Sequence, residues 1–201
     1  MVKVAIFDYG AGNIFSLKSS LEKNGAIVDV INSFSKANDY SGFLLPGVGN
    51  FDPAIHSLNN SKKTFRDLAK GKAPILGICL GMEMFFEKSE EGKESGLGVL
   101  EGEVVLLPNK LKIPHMGWND LQIKKSSKLL EGVKEGSWVY FVHSYRIKPK
   151  NSDIVKADSD YGISVPAVIE DGSLYGTQFH PEKSGKVGSI MIKNFLRECK
   201  K

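Results

Sequence analysis

Residues 73–83, with the sequence APILGICLGME, constrain the fold more than any other segment of the chain. An apolar run leads into Gly77, and Cys79 stands midway between Gly77 and Gly81. When a buried strand turns sharply into a helix, the residue at the bend is strained. Small residues two positions before and after it let the strand and helix approach closely. The pattern therefore predicts a strand, a tight turn at Cys79 and a helix that starts at once.

Strands and helices alternate along the first half of the chain. The apolar patterns predict strands at residues 3–9, 26–31, 42–47 and 73–78, and helices at residues 13–25, 63–71 and 81–89. This alternation favours an α/β fold with a mostly parallel sheet that helices cover on both faces.

The second half of the chain is rich in strand patterns joined by tight turns. Strands are predicted within residues 98–107, 136–147, 152–157 and 164–180, with a hairpin turn at 170–173, and an amphipathic helix at 188–199. A length of 201 residues suits one domain, so we expect a single domain over residues 1–201.

Composition excludes several classes of protein. No apolar run approaches the length of a membrane span, and the N-terminal segment shows no signal-peptide cleavage pattern, so we expect a cytoplasmic protein. Two cysteines, Cys79 and Cys199, do not suggest a disulfide framework. The net charge of +4 comes from scattered lysines rather than an arginine-rich stripe, which argues against nucleic-acid binding.

The position of Cys79 suits a nucleophile. A thiol at a helix N-terminus lies near unpaired backbone N–H groups, which are expected to lower its pKa below the ordinary value of about 8.5. The N–H of Leu80, next along the chain, would point towards an oxyanion formed on an attacked carbonyl. The competing interpretation is a cysteine that serves as a small buried apolar residue.

A cysteine nucleophile needs a base and a group that orients the base. Pro181 favours extended geometry at His180, and residues two apart in an extended segment face the same way. Glu182 is therefore expected to hold one ring nitrogen of His180 while the other faces the Cys79 thiol. Alone, a surface histidine beside a glutamate would explain this pair equally well.

Two glycine-rich segments follow predicted strands. Residues 44–51, LLPGVGNF, form a loop at the ligand-binding edge of the sheet, where Gly47, Val48 and Gly49 can supply the second oxyanion donor, although a simple turn is the alternative. Gly10 and Gly12, with Asp29 further on, suggest a dinucleotide fingerprint, but Phe15 occupies the third glycine position. We therefore do not expect nucleotide binding.

Six short segments together resemble one known family, and they extend from Asp8 to Ser184. These segments are DYGAGN at 8–13, LLPGVGNF at 44–51, GICLGM at 77–82, PHMGWN at 114–119, FVHSY at 141–145 and QFHPEKS at 178–184. The chain is similar to the glutaminase subunits of imidazole glycerol phosphate synthase, which are class I, triad-type glutamine amidotransferases. The PHMGWN segment separates this subfamily from other amidotransferases.

The resemblance implies a flavodoxin-like fold and assigns roles to individual residues, without a metal or another cofactor. The implied triad is Cys79, His180 and Glu182. The implied oxyanion donors are Gly47, Val48, Gly49 and Leu80. The implied contacts to substrate glutamine are Gly49, Glu83, Glu91, Ser144 and Tyr145. The implied partner interface consists of Asn13, His115, Met116, Trp118 and Lys183, although Trp118 could equally be a core residue.

The resemblance also implies a two-part reaction. Glutamine is hydrolysed to glutamate and ammonia through a cysteine thioester. The ammonia then passes to a separate (βα)₈ cyclase subunit that makes imidazole glycerol phosphate and aminoimidazole carboxamide ribotide in histidine biosynthesis. Three alternatives stay open: a paralogous subunit that supplies ammonia to surface-sugar biosynthesis, a flavodoxin-like cysteine hydrolase or chaperone, and a binding subunit with a relic triad.

One residue departs from the family pattern, because Glu83 stands where glutamine is usual. Four residues after Cys79 on a helix, Glu83 should border the glutamine pocket. An ionised glutamate only accepts hydrogen bonds and could oppose the thiolate. Alternatively, it could accept a hydrogen bond from the substrate ammonium or from a backbone N–H with little electrostatic effect, which is the outcome that helix-terminus dipoles favour.

Overall fold

The computed structural model describes residues 1–10 and 12–201, with Asn59 described by its backbone alone; Ala11 of the DYGAGN segment lies outside the described residues. The strands are β1 (Val2–Phe7), β2 (Ala26–Ile31), β3 (Gly42–Leu45), β4 (Ile75–Ile78), β5 (Lys88–Ser89), β6 (Gly102–Leu106), β7 (His115–Asp120), β8 (Gln122–Ile123), β9 (Trp138–His143), β10 (Tyr145–Pro149), β11 (Val155–Asp160), β12 (Ser164–Asp171) and β13 (Leu174–Thr177). The helices are α1 (Ile14–Lys23), α2 (Phe51–Ser57), α3 (Lys62–Lys70), α4 (Leu80–Glu83) and α5 (Gly185–Glu198). No helix in this described part of the chain is long and apolar enough to span a membrane.

The central sheet has eight strands in the order β2-β1-β3-β4-β13-β12-β11-β8. The first five strands in that order run parallel, and β12, β11 and β8 are antiparallel to their neighbours. The expected parallel sheet with an antiparallel second half is confirmed. The hairpin between β12 and β13 is also confirmed, because Asp171 pairs with Leu174 around a two-residue turn.

Side chains that alternate along the parallel strands fill two separate apolar cores, one on each face of the sheet. On β1, Val4 and Ile6 join the core beneath α1 and α5, whereas Ala5 and Phe7 join the core beneath α2 and α3. A strand buried on both faces is apolar at every position, which explains the continuous apolar runs in the sequence. The two helical layers fix the carboxyl ends of β3, β4 and β13 side by side.

One predicted helix is much shorter in the structure, and one helix of the structure was not predicted. The helix predicted at 81–89 is only the single turn α4, and Lys88 and Ser89 pair with β6 instead. Residues 81–86 of this run, which include Phe85 and Phe86, are all buried, so this part has no polar face that would keep it a surface helix. The helix α2, which the sequence pattern did not predict, follows directly after the glycine-rich loop.

Strands β7 and β9 form a separate two-stranded antiparallel ribbon, called the ribbon below. Its inner face carries the cross-strand pair His115 and His143. Its outer face carries Trp118 opposite Tyr140, and the Trp118 and Tyr140 rings meet edge to face with centroids 5.9 Å apart. The ribbon therefore has one buried face, which carries Val139 and Phe141 beside the two histidines, and one outward face with exposed aromatic side chains.

Lys72 adopts a strained backbone conformation in the turn that follows α3. It follows α3 with φ of 64°, in the left-handed region that favours glycine, and the Ala73 N–H donates to the Leu68 carbonyl to close the turn. We expect Lys72→Gly to raise the unfolding free energy by about 0.5–1 kcal/mol, because relief of this strain outweighs the extra freedom of glycine in the unfolded chain. Urea denaturation measures the change.

The matched control for this prediction is Lys70→Gly. Lys70 is the last residue of α3, where glycine should lower the unfolding free energy by about 0.5–1 kcal/mol. Destabilisation by both substitutions would show that the conformation of Lys72 is not strained.

Candidate active site

Cys79 occupies the bend between β4 and α4. Its backbone has φ of 51° and ψ of −111°, which L-residues rarely adopt. The strained turn predicted from the glycine spacing is confirmed.

Three glycines allow the backbones around Cys79 to approach one another. A Cβ on Gly81 would overlap the carbonyl oxygen of Leu45, and one on Gly77 would lie 2.6 Å from the Met82 nitrogen. A Cβ on Gly47 would overlap the carbonyl oxygen of Ile78. The glycine-rich loop therefore packs directly against the cysteine turn, which brings the predicted oxyanion segment of Gly47, Val48 and Gly49 beside Cys79 and Leu80.

His180 and Glu182 form a buried hydrogen-bonded pair. His180 Nδ1 lies 2.9 Å from Glu182 Oε1, and both side chains are buried. His180 itself is extended, as expected before Pro181, with φ of −98° and ψ of 98°, but the next residues, Pro181–Lys183, form a 3₁₀ turn instead of continuing the extended segment. The predicted contact between His180 and Glu182 is therefore present, and a turn rather than an extended segment brings the two side chains together.

The contact with Glu182 sets the tautomer of His180. A carboxylate accepts hydrogen bonds, so Nδ1 carries the proton and Nε2 of the neutral ring is an acceptor. Nε2 is buried and has no hydrogen-bond partner among the described side chains and backbone. This leaves a neutral ring nitrogen available as a base.

Strand β9 contacts both parts of the predicted triad through its backbone. The Cys79 thiol donates to the carbonyl oxygen of Val142 at a sulfur-to-oxygen distance of 3.7 Å. The His180 N–H donates to the carbonyl oxygen of Tyr140 at 2.9 Å, and the Tyr140 N–H donates to Ser184 Oγ at 3.0 Å. The ribbon and the predicted triad are thus joined by direct hydrogen bonds.

The expected low pKa of the thiol is wrong. Burial raises the pKa of Cys79 well above its ordinary value, and the nearby Glu83 carboxyl raises it further. Hydrogen bonds from the Leu80 N–H and the Gln178 amide oppose this rise but do not cancel it. The single-turn α4 supplies too few aligned peptide dipoles to outweigh burial.

Gln178 is a site residue that the sequence interpretation missed. Its side chain is fully buried, and Nε2 donates to Glu83 Oε1 at 2.9 Å while lying 3.7 Å from the Cys79 sulfur. The carboxyl of Glu83 therefore accepts from a side chain rather than from a backbone N–H, and its electrostatic effect on Cys79 is unfavourable to the thiolate. A polar residue next to a buried strand, two positions before His180, was the available signal.

A cavity of about 320 Å³ opens beside the thiol. Its size suits a small ligand such as an amino acid. The residues that line it are Val48, Gly49, Asn50, Cys79, Leu80, Glu83, Glu91, Pro114, Val142, His143, Ser144 and Tyr145. All five residues expected to contact substrate are in this set. Glu91 is also held in place, because its Oε2 accepts from the Phe51 N–H at 3.1 Å.

The predicted interface residues lie in different environments. Met116 and Trp118 are 62% and 51% exposed on the outer face of the ribbon, where Trp138, not predicted, is 58% exposed. Lys183 lies over the Tyr140 ring at 5.9 Å, and Asn13 is exposed and caps α1, accepting from the Ser16 N–H.

His115 does not reach this outer face. It is 3% exposed on the inner face of the ribbon and stacks on Tyr161 with ring centroids 3.9 Å apart. His115 Nδ1 lies 2.9 Å from His143 Nε2, and His143 Nδ1 lies 2.7 Å from the carbonyl oxygen of Tyr145. A carbonyl only accepts, so His143 is protonated on Nδ1 and accepts at Nε2 from the protonated Nδ1 of His115.

No group of three or more histidine, cysteine, aspartate or glutamate side chains in the described part of the chain is arranged to hold a metal ion.

Comparisons with known proteins agree with this geometry. A family model described as glutamine amidotransferase class-I matches residues 5–199. The imidazole glycerol phosphate synthase subunit HisH of Aquifex aeolicus is 46% identical over 205 residues, covering 100% of this chain and 99% of that protein. The subunit of the same name from Geobacillus kaustophilus is 44% identical, covering 96% of this chain and 95% of that protein.

Solved structures with low sequence identity share the fold. PurLQS from Thermotoga maritima aligns with a TM-score of 0.80 at 18% identity, covering 98% of this chain and 99% of that one. The glutaminase domain of CTPS from Trypanosoma brucei aligns with a TM-score of 0.72 at 17% identity, covering 100% of this chain and 94% of that one.

The buried histidine pair generates a prediction about pH. Burial lowers the pKa of His115 to about 4 and of His143 to about 3, so both rings should stay neutral from pH 8 to pH 5. Below about pH 6.5 the unfolded chain binds protons that the folded chain does not, so this pair lowers the unfolding free energy as the pH falls from 6.5 towards 4. NMR titration of the two ring resonances measures the protonation; a midpoint near 6.5 for either ring would contradict the prediction.

Proposed function

Because the chain belongs to the class-I glutamine amidotransferase family and groups within it with the HisH subunits, we propose that it hydrolyses L-glutamine for imidazole glycerol phosphate synthesis in histidine biosynthesis. The observation that carries the proposal is a strained Cys79 that borders an amino-acid-sized cavity. Strand β9 binds both this cysteine and His180, whose ring is oriented by Glu182.

In the first half of the proposed reaction, the Cys79 sulfur attacks the side-chain amide carbon of glutamine. His180 takes the thiol proton at Nε2 and gives it to the leaving nitrogen, so ammonia departs and a glutamyl thioester remains on Cys79. The Leu80 N–H and an N–H of the Gly47–Gly49 loop stabilise the tetrahedral oxyanion.

In the second half, His180 removes a proton from a water molecule, which attacks the thioester carbon. The carbon–sulfur bond breaks, glutamate leaves and the Cys79 sulfur takes back a proton. Glu182 keeps the proton on Nδ1 of His180 through both halves, so Nε2 alternates between base and acid.

The cavity wall supports glutamine as the substrate. Glu91 lines it with a carboxyl that can accept from the substrate ammonium, and Gly49, Ser144 and Tyr145 border the same space. We assign these residues, with Glu83, to substrate contact.

A partner subunit completes the proposed activity, since the relatives are named as subunits of a synthase. We propose a (βα)₈ cyclase that receives the ammonia and docks on the outer face of the ribbon through Met116 and Trp118, with Asn13 and Lys183 at the edge. The exposed aromatic side chains of that face are typical of interface anchors. His115, behind this face, supports the ribbon from within.

Docking on the ribbon is also the proposed control of the enzyme. The Cys79 thiol proton is engaged by the Val142 carbonyl of β9, and His180 Nε2 lacks a partner in the described structure. A partner that binds and stabilises another arrangement of β9 and the Gly47–Gly49 loop would shift the population towards the competent state. Ammonia would then be released only when its acceptor enzyme is present.

The triad assignment predicts the result of two substitutions. Cys79→Ser should leave the thermal unfolding of the chain unchanged within a few degrees but abolish glutamate release, because the alkoxide is far harder to form than the thiolate. His180→Asn should reduce glutamate release by at least about 10²-fold, because the base is lost. Glutamate release is measured for each purified variant together with the cyclase subunit.

Cys199→Ser is the matched control, since Cys199 is the other buried cysteine and does not line the cavity. This variant should release glutamate at the rate of the unsubstituted chain. Turnover retained by Cys79→Ser or His180→Asn would overturn the assignment.

A further inference from the structure

A buried polar cluster includes the nucleophile and two side chains that lie outside the triad. It consists of the Gln178 amide, the Glu83 carboxyl and the Cys79 sulfur. One amide nitrogen faces both other groups, at 2.9 Å from Glu83 Oε1 and 3.7 Å from the sulfur. An amide nitrogen is always a donor, so both groups act as acceptors towards it.

The two acceptors compete for one donor in a buried site. Gln178 and Glu83 are both buried, and within the described residues the Oε1 atom of Gln178 has no hydrogen-bond partner. A neutral Glu83 has an O–H donor to offer such an acceptor and carries no charge. An ionised Glu83 has only acceptors, and its charge lies close to the sulfur at which a second negative charge must develop.

We propose that Glu83 and Gln178 are positioning residues that make the reactivity of Cys79 depend on the protonation of Glu83. With Glu83 neutral, the Gln178 amide stabilises the thiolate. With Glu83 ionised, the carboxylate opposes the thiolate and binds the amide more strongly. The nucleophile therefore becomes harder to ionise as the pH rises through the titration of Glu83.

The surroundings of Glu83 place this titration at an accessible pH. Burial raises its pKa to about 8, the Gln178 amide opposes the rise, and Glu91 adds to it. The titratable groups that face the cluster are Tyr9 after β1, Glu91 after β5, His143 on β9, Tyr145 on β10, and His180 and Glu182 after β13. Burial raises the pKa of both tyrosines, and His143 stays neutral, so none of these three titrates between pH 7 and 9.

This inference rests on Cys79 as the nucleophile of the proposed function, but its test needs neither glutamine nor a partner. The rate of alkylation of Cys79 by iodoacetamide, an uncharged probe, reports the thiolate fraction from pH 6 to pH 10. Mass spectrometry of the peptide that contains Cys79 separates its modification from that of Cys199. A failure here with glutamine hydrolysis intact would refute only this inference.

The expected result is a divergence between two pH profiles. Below about pH 7 the unsubstituted chain and Glu83→Gln should be alkylated at rates within about twofold, because Glu83 is neutral and resembles an amide. Above about pH 8 the profile of the unsubstituted chain should flatten while that of Glu83→Gln keeps rising. The difference should reach about tenfold by pH 9.5, which corresponds to one pKa unit.

Glu90→Gln is the matched control. This substitution also removes one negative charge, from a residue seven positions after Glu83. Glu90 is exposed, however, and its carboxylate accepts from the Leu106 N–H outside the cavity. Its profile should follow that of the unsubstituted chain. Profiles of the unsubstituted chain and Glu83→Gln that superimpose to pH 10, or that differ by one constant factor at every pH, would overturn the proposal.

Gln178→Met tests the other member of the pair. Methionine is similar in length and lacks the donor, so alkylation should slow several-fold at pH 7 as the thiolate loses a hydrogen bond. An unchanged rate would refute the role of Gln178. If this buried substitution prevents folding, the comparison with Glu83→Gln still decides the proposal.

Discussion

The backbone of β9 is the constraint on which the site depends. Its Val142 carbonyl accepts from the Cys79 thiol, and its Tyr140 carbonyl accepts from the His180 N–H. These two hydrogen bonds join β4 and the segment after β13 to one strand that lies outside the central sheet. Because β9 also supports the exposed aromatic face of the ribbon, anything that binds this face acts on the strand that holds both groups.

Burial decides how the chemistry must proceed. A thiol whose pKa is raised by burial holds little thiolate at pH 7, so the proton has to move to His180 during the attack on substrate. The same burial keeps His115 and His143 neutral, which preserves the hydrogen bond from His115 to His143 and the one from His143 to the Tyr145 carbonyl. Burial thus fixes the positions of these hydrogen bonds but leaves Cys79 as a protonated thiol before the attack on substrate.

Local patterns in the sequence predicted what local backbone geometry determines. The spacing of Gly77, Cys79 and Gly81 predicted the strained turn, and the spacing of His180 and Glu182 predicted their contact. Contacts between distant segments left no local pattern: Gln178 and Glu83 are 95 residues apart, and Cys79 and Val142 are 63 apart. Their meeting depends on the parallel pairing of β13 with β4 and on the ribbon, which the strand patterns alone could not specify.

The central claim is that a partner on the outer face of the ribbon controls the buried triad. Its most direct test is the rate of glutamate release by the chain alone and by the chain mixed with the cyclase and the nucleotide that the cyclase uses. If docking selects the arrangement in which an N–H of the Gly47–Gly49 loop binds the oxyanion, the rate should rise by roughly 10²–10³-fold. Equal rates with and without the partner would contradict the claim.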